Sequence, residues 1–139
     1  MKNILITGGG GYIGTNLTNE LLSCNYKVTV IDTFWFGNYL KKEKNLKVIK
    51  KDIRKLSDKD LSNVDCIIHL ASIANDPAAE LDPKLTWDVN VLATYKLIDI
   101  AIKKKVKKFI FASSGSVYGI KKEKKVTENL SLEPISEYN

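Results

Sequence analysis

The feature that most constrains this chain is a run of four glycines, Gly8 to Gly11, placed directly after an apolar segment. The apolar residues 4–6 predict a short buried strand, and the apolar spacing after Tyr12 predicts a helix. A helix that begins there presents unpaired backbone N–H groups and the positive end of its dipole. Glycines let a phosphate approach that backbone closely. The segment therefore predicts a site for the pyrophosphate of a dinucleotide.

A glycine run also occurs in ordinary tight turns, so a second signal is needed to support the dinucleotide interpretation. Dinucleotide-binding folds place an acidic residue about 20 residues further on, where it accepts hydrogen bonds from ribose hydroxyls. Residues 27–32 form an apolar segment that ends in Asp32, in agreement with that spacing. The phosphate loop of nucleotide kinases needs a lysine after its last glycine, and this chain has Thr15 there. The kinase alternative is therefore rejected.

Length and composition predict one folded domain over 139 residues, of which 44% are hydrophobic. No apolar stretch approaches the roughly 20 residues of a membrane span, and residues 4–6 are too short for a signal peptide. Cys24 and Cys66 are isolated, without neighbours that suggest a disulfide framework or a metal site. We therefore expect a cytoplasmic protein with no membrane partner and no metal.

The net charge of +6 comes from lysine, since Arg54 is the only arginine. The lysines cluster at 41–44, 103–108 and 121–125. These clusters lack interleaved aromatic residues and the arginines that read base edges, so they are typical of solvated surfaces and not of a nucleic-acid partner. A positive field would still favour an acidic substrate.

The hydrophobic pattern predicts strands that alternate with helices, and hence a parallel sheet covered on both faces. The strands are expected at 3–7, 27–32, 46–50, 66–70 and 108–112, and the helices at 12–23 and 83–104. A short turn or helix is expected at 57–61, a loop of about 20 residues after the last strand, and a helix capped by Ser136. The predicted fold is α/β, a Rossmann-type doubly wound sheet with strand order 3-2-1-4-5.

Several further segments follow these strands in a specific order. They are the glycine loop 7–14, Asp32, the pair Asp52-Ile53, the segment His69-Leu70-Ala71-Ser72, Asn90-Val91 with Thr94, the run Ser113 to Gly119, and Pro134 with Ser136 and Tyr138. Together they resemble the motifs of the extended short-chain dehydrogenase/reductases, in particular the NAD-dependent epimerase/dehydratase group that acts on nucleotide sugars. The resemblance covers the whole chain and implies NAD as cofactor and a nucleotide sugar as substrate.

The resemblance also implies roles for individual residues. Ser114 and Tyr138 correspond to the catalytic serine and tyrosine. The implied cofactor-binding residues are Gly8, Gly11, Tyr12, Ile13, Gly14, Asp32, Asp52, Ile53, Leu70, Ala71, Ser72 and Asn90. Each residue also has a plain structural interpretation: Asp52 is typical of a turn cap, His69 of a buried structural histidine, and residues 113–116 of a turn.

Two departures from the family pattern shape the expected activity. The family places a lysine four residues after the tyrosine and a substrate domain beyond it, whereas the given sequence stops at Asn139. We therefore expect residues 1–139 to be an incomplete NAD-binding domain, inactive alone and prone to homo-oligomerise. Gly115 and Ser116 stand where related dehydratases carry Asp-Glu, which favours epimerase or keto-reductase chemistry. The alternative is a non-catalytic dinucleotide-binding regulatory or scaffold module.

Overall fold

The core of the protein is a five-stranded parallel sheet, seen in a computed structural model that describes residues 2–136 and 138. The strands are β1 (Asn3–Thr7), β2 (Lys27–Asp32), β3 (Leu46–Lys50), β4 (Cys66–His69) and β5 (Lys108–Phe111). Their order is β3-β2-β1-β4-β5, and every neighbouring pair is parallel. This confirms the predicted fold class. The order reverses between β1 and β4, and in such sheets ligands bind at the carboxyl ends of the strands on either side of that reversal.

The helical segments lie between the strands. They are α1 (Tyr12–Ser23), α2 (Asp76–Leu81), α3 (Pro83–Trp87) and α4 (Ala93–Lys103), with a π-helical turn at Asp88–Leu92 and 3₁₀ turns at Ile53–Lys55 and Gly115–Tyr118. None of the helices in residues 2–136 is long and apolar enough to cross a membrane.

Three details of the helices differ from the sequence expectations. The helix expected at 83–104 is present over nearly that range, but the π-helical turn divides it into α3 and α4. Helix α2 is not predicted by the apolar spacing; it begins because the Asn75 side chain accepts a hydrogen bond from the N–H of Ala78. Residues 58–63 form turns, and the helix start expected at Ser136 involves Glu137, which lies outside the described residues.

Both faces of the sheet are covered, as the alternation of side chains along each strand requires. Ile4 and Ile6 of β1 pack with the partly buried Leu17 and Leu21 of α1 on one face. Leu5 lies on the opposite face, in a cluster that includes Leu97, Ile100 and Ala101 of α4. This two-sided packing buries the central strands and leaves their carboxyl ends at one edge. The functional side chains therefore gather at that edge.

Candidate dinucleotide-binding site

The turn that follows β1 can be made only with glycine at its first position. Gly8 has a φ of +72°, and its N–H donates to the carbonyl of Ile31 at 2.8 Å. A Cβ on Gly8 would lie 2.6 Å from the backbone nitrogen of Ala71. Both the left-handed backbone and the close contact exclude a larger residue. The turn thereby locks the ends of β1, β2 and β4 together.

At the start of α1, Gly14 packs tightly against the protein backbone, whereas Gly11 has free space beside it. A Cβ on Gly14 would collide with the carbonyl oxygen of Gly8 and lie 2.6 Å from the Cα of Gly9. A Cβ on Gly11 would instead meet only the Gly8 carbonyl oxygen, at 3.4 Å. Gly11 is the N-cap residue, and it provides no side-chain cap, while the first turn holds no acidic residue. The backbone N–H groups of this turn therefore suit an anionic group such as a pyrophosphate.

Asp32, the last residue of β2, is held in position by the loop on either side of it. Its Oδ2 accepts from the N–H of Gly10 at 2.9 Å, and its Oδ1 accepts from the N–H of Phe34 at 2.7 Å. A carboxylate oxygen can accept two hydrogen bonds, so each oxygen keeps capacity for a hydroxyl donor. The geometry fits the ribose-binding role implied by the sequence.

Asp52 follows β3 and both caps a turn and lines the cavity. Its Oδ1 accepts from the N–H of Arg54 at 2.9 Å, and its Oδ2 accepts from Nη2 of the same residue at 2.6 Å. These bonds to the Arg54 side chain hold the pKa of Asp52 below its usual range, so the carboxylate is charged at neutral pH. The turn-cap interpretation is therefore correct, and it is compatible with a binding role.

Asn90 lies in the π-helical turn and holds the loop that follows β4. Its Oδ1 accepts from the N–H of Ile73 at 2.8 Å, and its Nδ2 donates to the carbonyl of Ile73 at 3.0 Å. Local π-helical geometry is frequent at functional sites, and here it aims the Asn90 amide at a neighbouring backbone. The loop thus positioned contains Leu70, Ala71 and Ser72. A direct contact of Asn90 with the cofactor stays a prediction, while its role in positioning this loop is visible.

His69 joins β4 to its neighbours through a buried network. Its Nδ1 lies 2.5 Å from Thr7 Oγ1, and its Nε2 lies 2.9 Å from Thr94 Oγ1. The Thr94 hydroxyl donates to the carbonyl of Asn90 at 2.8 Å, so it can only accept a hydrogen bond from His69. Nε2 therefore carries the imidazole proton, and Nδ1 accepts from Thr7. Burial lowers the pKa of His69 to about 4, which keeps the ring neutral and fits a structural role.

One cavity of about 530 Å³ collects these elements at the carboxyl edge of the sheet. Its lining includes most of the cofactor-binding residues expected from the sequence: Gly8, Gly11, Tyr12, Ile13, Gly14, Asp32, Asp52, Ile53, Leu70, Ala71 and Ser72. At its other end the lining includes Ser113 and Tyr138. Within the part of the chain that the structure describes, no three His, Cys, Asp or Glu residues cluster as metal ligands would.

Ser114 lies one residue beyond the lining residue Ser113 and caps the 3₁₀ turn Gly115–Tyr118. Its hydroxyl lies 2.5 Å from Ser116 Oγ and accepts from the N–H of Ser116 at 3.2 Å. The turn interpretation of residues 113–116 is thus correct for the backbone. The catalytic roles of Ser114 and Tyr138 stay predictions.

Sequence reasoning missed the contribution of residues 33–37 to the cavity. This segment, Thr-Phe-Trp-Phe-Gly, lines the cavity beside Asp32, together with Gly10 and Lys51. A usable signal was present, because the residues that directly follow a central parallel strand lie at the ligand-binding edge of the sheet. The side chain of Lys51 is paired with Asp60 at 2.7 Å.

The fold and this glycine-lined site define a dinucleotide-binding domain of the Rossmann type. A model of the NAD dependent epimerase/dehydratase family matches residues 4–139. The chain belongs to this family. The family resemblance predicted from the sequence motifs is thereby confirmed.

Individual proteins agree with the family assignment. The chain is 34% identical over 142 residues to a putative UDP-glucose 4-epimerase of Methanocaldococcus jannaschii, covering 97% of this chain and 46% of that protein. The structure matches a UDP-N-acetylglucosamine 4-epimerase from Methanobrevibacter ruminantium M1 with a TM-score of 0.93 and 33% identity, over 99% of this chain and 46% of that one. It also matches dTDP-glucose 4,6-dehydratase from Streptomyces venezuelae with NAD bound, with a TM-score of 0.90 and 27% identity, over 98% of this chain and 47% of that one. The chain thus spans less than half of each protein.

Proposed function

We propose that this chain binds NAD and provides the serine–tyrosine pair of an enzyme that epimerises a nucleotide sugar. The observation that carries the proposal is the single cavity that joins the glycine loop and Asp32 to Tyr138. The family is NAD-dependent, and the residues present fit this cofactor: an uncapped helix start faces the cavity, and a carboxylate lies beside it. A dinucleotide bound in this cavity would therefore lie close to Tyr138.

The residues of the chain have separable tasks in this proposal. The N–H groups at the start of α1 bind the pyrophosphate, and Asp32 accepts from the adenosine ribose hydroxyls. Bound NAD supplies the hydride acceptor for oxidation of a sugar carbinol. Tyr138 takes the hydroxyl proton, and Ser114 donates a hydrogen bond to the sugar oxygen on which charge develops. For this donation the Ser114 hydroxyl turns away from Ser116.

Epimerase chemistry is favoured over dehydratase chemistry by the residues after Ser114. Elimination of water needs an additional acid and base close to the sugar, and the chain has Gly115 and Ser116 at the two positions where related dehydratases carry Asp-Glu. Neither residue can act as a carboxylic acid or base. Epimerisation by oxidation and re-reduction at one carbon needs no such additional acid and base beside the Ser114–Tyr138 pair and NAD.

The test is a calorimetric titration of the chain with NAD and with NADP, followed by addition of UDP-, GDP- and dTDP-sugars. We expect NAD to bind more tightly than NADP, because the Asp32 carboxylate repels a 2′-phosphate. We expect the 139 residues by themselves to leave the sugars unchanged, because the relatives are more than twice as long. Tighter binding of NADP, or no binding of either cofactor, would contradict the proposal.

A longer chain that contains these residues is expected to interconvert a nucleotide sugar with its epimer. If such a chain binds NAD but converts no nucleotide sugar, the non-catalytic regulatory or scaffold module is the better interpretation. Light scattering on the same sample tests the expected self-association, for which the exposed Ile110 and Phe111 on β5 are the observed apolar surface.

A further inference from the structure

A second cavity lies at the edge of the sheet opposite the candidate dinucleotide site. Its volume is about 470 Å³, and it is lined by residues from β1, β2 and β3, by the turn before β3 and by the segment that precedes β4. The amino ends of the parallel strands meet at this edge, and we call this space the amino-edge cavity. Among the residues that the structure describes, the two cavities share no lining residue. The amino-edge cavity therefore has no part in the proposed binding of NAD.

The register of the strands places two lysines of this cavity on one face of the sheet. Lys47 of β3 is the register partner of Thr29 in β2. Lys27 precedes Thr29 by two residues in the same strand, so Lys27 and Lys47 are diagonal neighbours on that face. Two further lysines also line the cavity, Lys44 in the turn before β3 and Lys59 in the segment before β4. Like charges on neighbouring strands repel each other, and a bound anion would relieve that repulsion.

The protein does not neutralise these four lysines with its own carboxylates. None of the four forms an ion pair within residues 2–136. Elsewhere on the surface, Lys103 and Lys107 lie 2.7 and 2.8 Å from carboxylate oxygens. Asp60 also lines the cavity, but its Oδ2 already accepts from Lys51 Nζ at 2.7 Å and from the N–H of Ser57 at 2.8 Å. The amino-edge cavity therefore concentrates positive charge.

The other lining groups favour phosphate over carboxylate as the anion. Asn45, Ser62 and Asn63 also line the cavity, and their amide and hydroxyl groups can donate to phosphate oxygens. Ammonium groups act as point charges and suit oxygens that point in several directions, whereas a planar carboxylate is matched best by a guanidinium fork. The only arginine of the chain, Arg54, is paired with Asp52 at the other edge of the sheet. The donor set is thus one for phosphate groups.

We propose that the amino-edge cavity binds a small polyanion that carries at least two phosphate groups. Four ammonium groups match the several negative charges of a diphosphate or triphosphate. The cavity volume of about 470 Å³ lies within the range of small-molecule sites, roughly 300–1,000 Å³. Because the cavity is separate from the glycine loop, this ligand binds whether or not NAD is bound. The proposal therefore does not depend on the proposed function.

The experiment titrates inorganic tripolyphosphate into the isotope-labelled chain at about 0.15 M salt and follows the backbone amide resonances by NMR. We expect saturable shifts that cluster at Lys27, Asn45, Lys47 and Asn63, and that persist in the presence of excess NAD. Shifts confined to residues 8–14 would assign the polyanion to the glycine loop and overturn the proposal. Shifts that spread evenly over all lysines and do not saturate would show nonspecific attraction and would also overturn it.

Matched variants test the contribution of the charges by calorimetry with the same probe. Lys27→Gln combined with Lys47→Gln is expected to weaken tripolyphosphate binding by roughly tenfold, because two cationic donors are lost. Lys27→Arg combined with Lys47→Arg is expected to retain most of the affinity, since the charge remains. The control is Lys122→Gln combined with Lys124→Gln, which removes the same charge from an exposed segment outside the cavity. This control is expected to change the affinity by less than about twofold.

The outcomes decide the proposal without reference to NAD. If the glutamine pair at Lys27 and Lys47 weakens tripolyphosphate no more than the control pair does, the amino-edge site is refuted. Binding of citrate as tight as that of tripolyphosphate would overturn the assignment to phosphate. Circular dichroism identifies a variant that has not folded, and the arginine pair and the amide shifts of the unaltered chain then decide the case.

Discussion

The two ends of the cavity are built in different ways. At the end proposed to bind adenosine, called here the adenosine end, Asp32 is held by two backbone N–H groups, from Gly10 and Phe34, at a junction of two central strands. At the end proposed to bind the sugar, called here the sugar end, Ser113 and Tyr138 come from the segment after β5, and the Ser114 hydroxyl is bonded to Ser116. The first end is preorganised by the sheet itself, whereas the second depends on irregular segments at the edge of the fold. Binding and chemistry should therefore respond separately to mutation.

The largest expected effect is at the glycine loop. Gly11→Val is expected to weaken NAD binding by roughly 100-fold or more, since the branched side chain enters the space of the pyrophosphate and removes hydrogen bonds to a charged group. Its melting temperature should change little, because a Cβ at Gly11 meets only the Gly8 carbonyl, at 3.4 Å. Gly14→Val is the contrasting variant: its side chain collides with the same carbonyl, and it should lose stability first. Normal NAD affinity in folded Gly11→Val would show that the loop is only a turn.

A second prediction concerns His69, the last residue of β4, which directly precedes the cavity-lining residues Leu70, Ala71 and Ser72. Its pKa is about 4 in the folded protein and 6.5 for an unperturbed histidine, so the unfolded chain binds the proton more readily. The contribution of neutral His69 to the free energy of unfolding is therefore complete above the pKa of the unfolded chain, and it decreases as the pH falls toward 4. Between about pH 7 and about pH 5, the free energy of unfolding is expected to decrease by about 2 kcal/mol.

Urea denaturation at the two pH values measures this loss. His69→Gln is the comparison variant, since it cannot be protonated and should show a much smaller difference between the two pH values. An equal difference in both proteins would mean that other groups, such as the carboxylates, are responsible and that His69 titrates normally.

Substitution of Asp32 is expected to cause a smaller loss of NAD affinity, confined to the adenosine end of the cavity. Asp32→Ala should weaken NAD binding by about tenfold through loss of the ribose hydrogen bonds. It should weaken NADP less, because the repulsion of the 2′-phosphate disappears at the same time, so the gap between the two cofactors narrows. Calorimetry with both cofactors gives the two ratios, and Asp58→Asn, in a turn paired with Lys103 at 2.7 Å, is the control. If the difference between the NAD and NADP affinities is unchanged in Asp32→Ala, Asp32 does not contribute to the choice of cofactor.

The smallest expected effect is at the sugar end. Ser114→Ala and Tyr138→Phe should each leave NAD affinity within about twofold, because their proposed roles concern the sugar oxygen and not the adenosine half. The same calorimetric titration measures the NAD affinity of both variants. A tenfold loss of NAD affinity in Tyr138→Phe would show that the two ends of the cavity are coupled and do not respond separately to mutation.

Much of the fold could be predicted because it depends on local pattern. Segments of four to six residues, each with three apolar side chains, mark the strands, and their alternation with helices requires parallel neighbours. The position of Asp32 follows from the strand that ends with it. The π-helical turn could not be predicted in this way, since apolar spacing continues through it. Helix α2 was missed for a related reason: it is short and depends on a cap at Asn75.

The sequence alone determined the elements and the glycine loop, because strand and helix periodicity and the steric freedom of glycine are properties of neighbouring residues. Only the tertiary structure showed that Asn90 holds Ile73, which precedes it by 17 residues, and that His69 bridges Thr7 and Thr94. Only the fold brought Trp35 and Phe36 into one cavity with Asp52 and Tyr138. Such contacts join residues far apart in the chain, and their partners are set by the packing of the sheet and its helices.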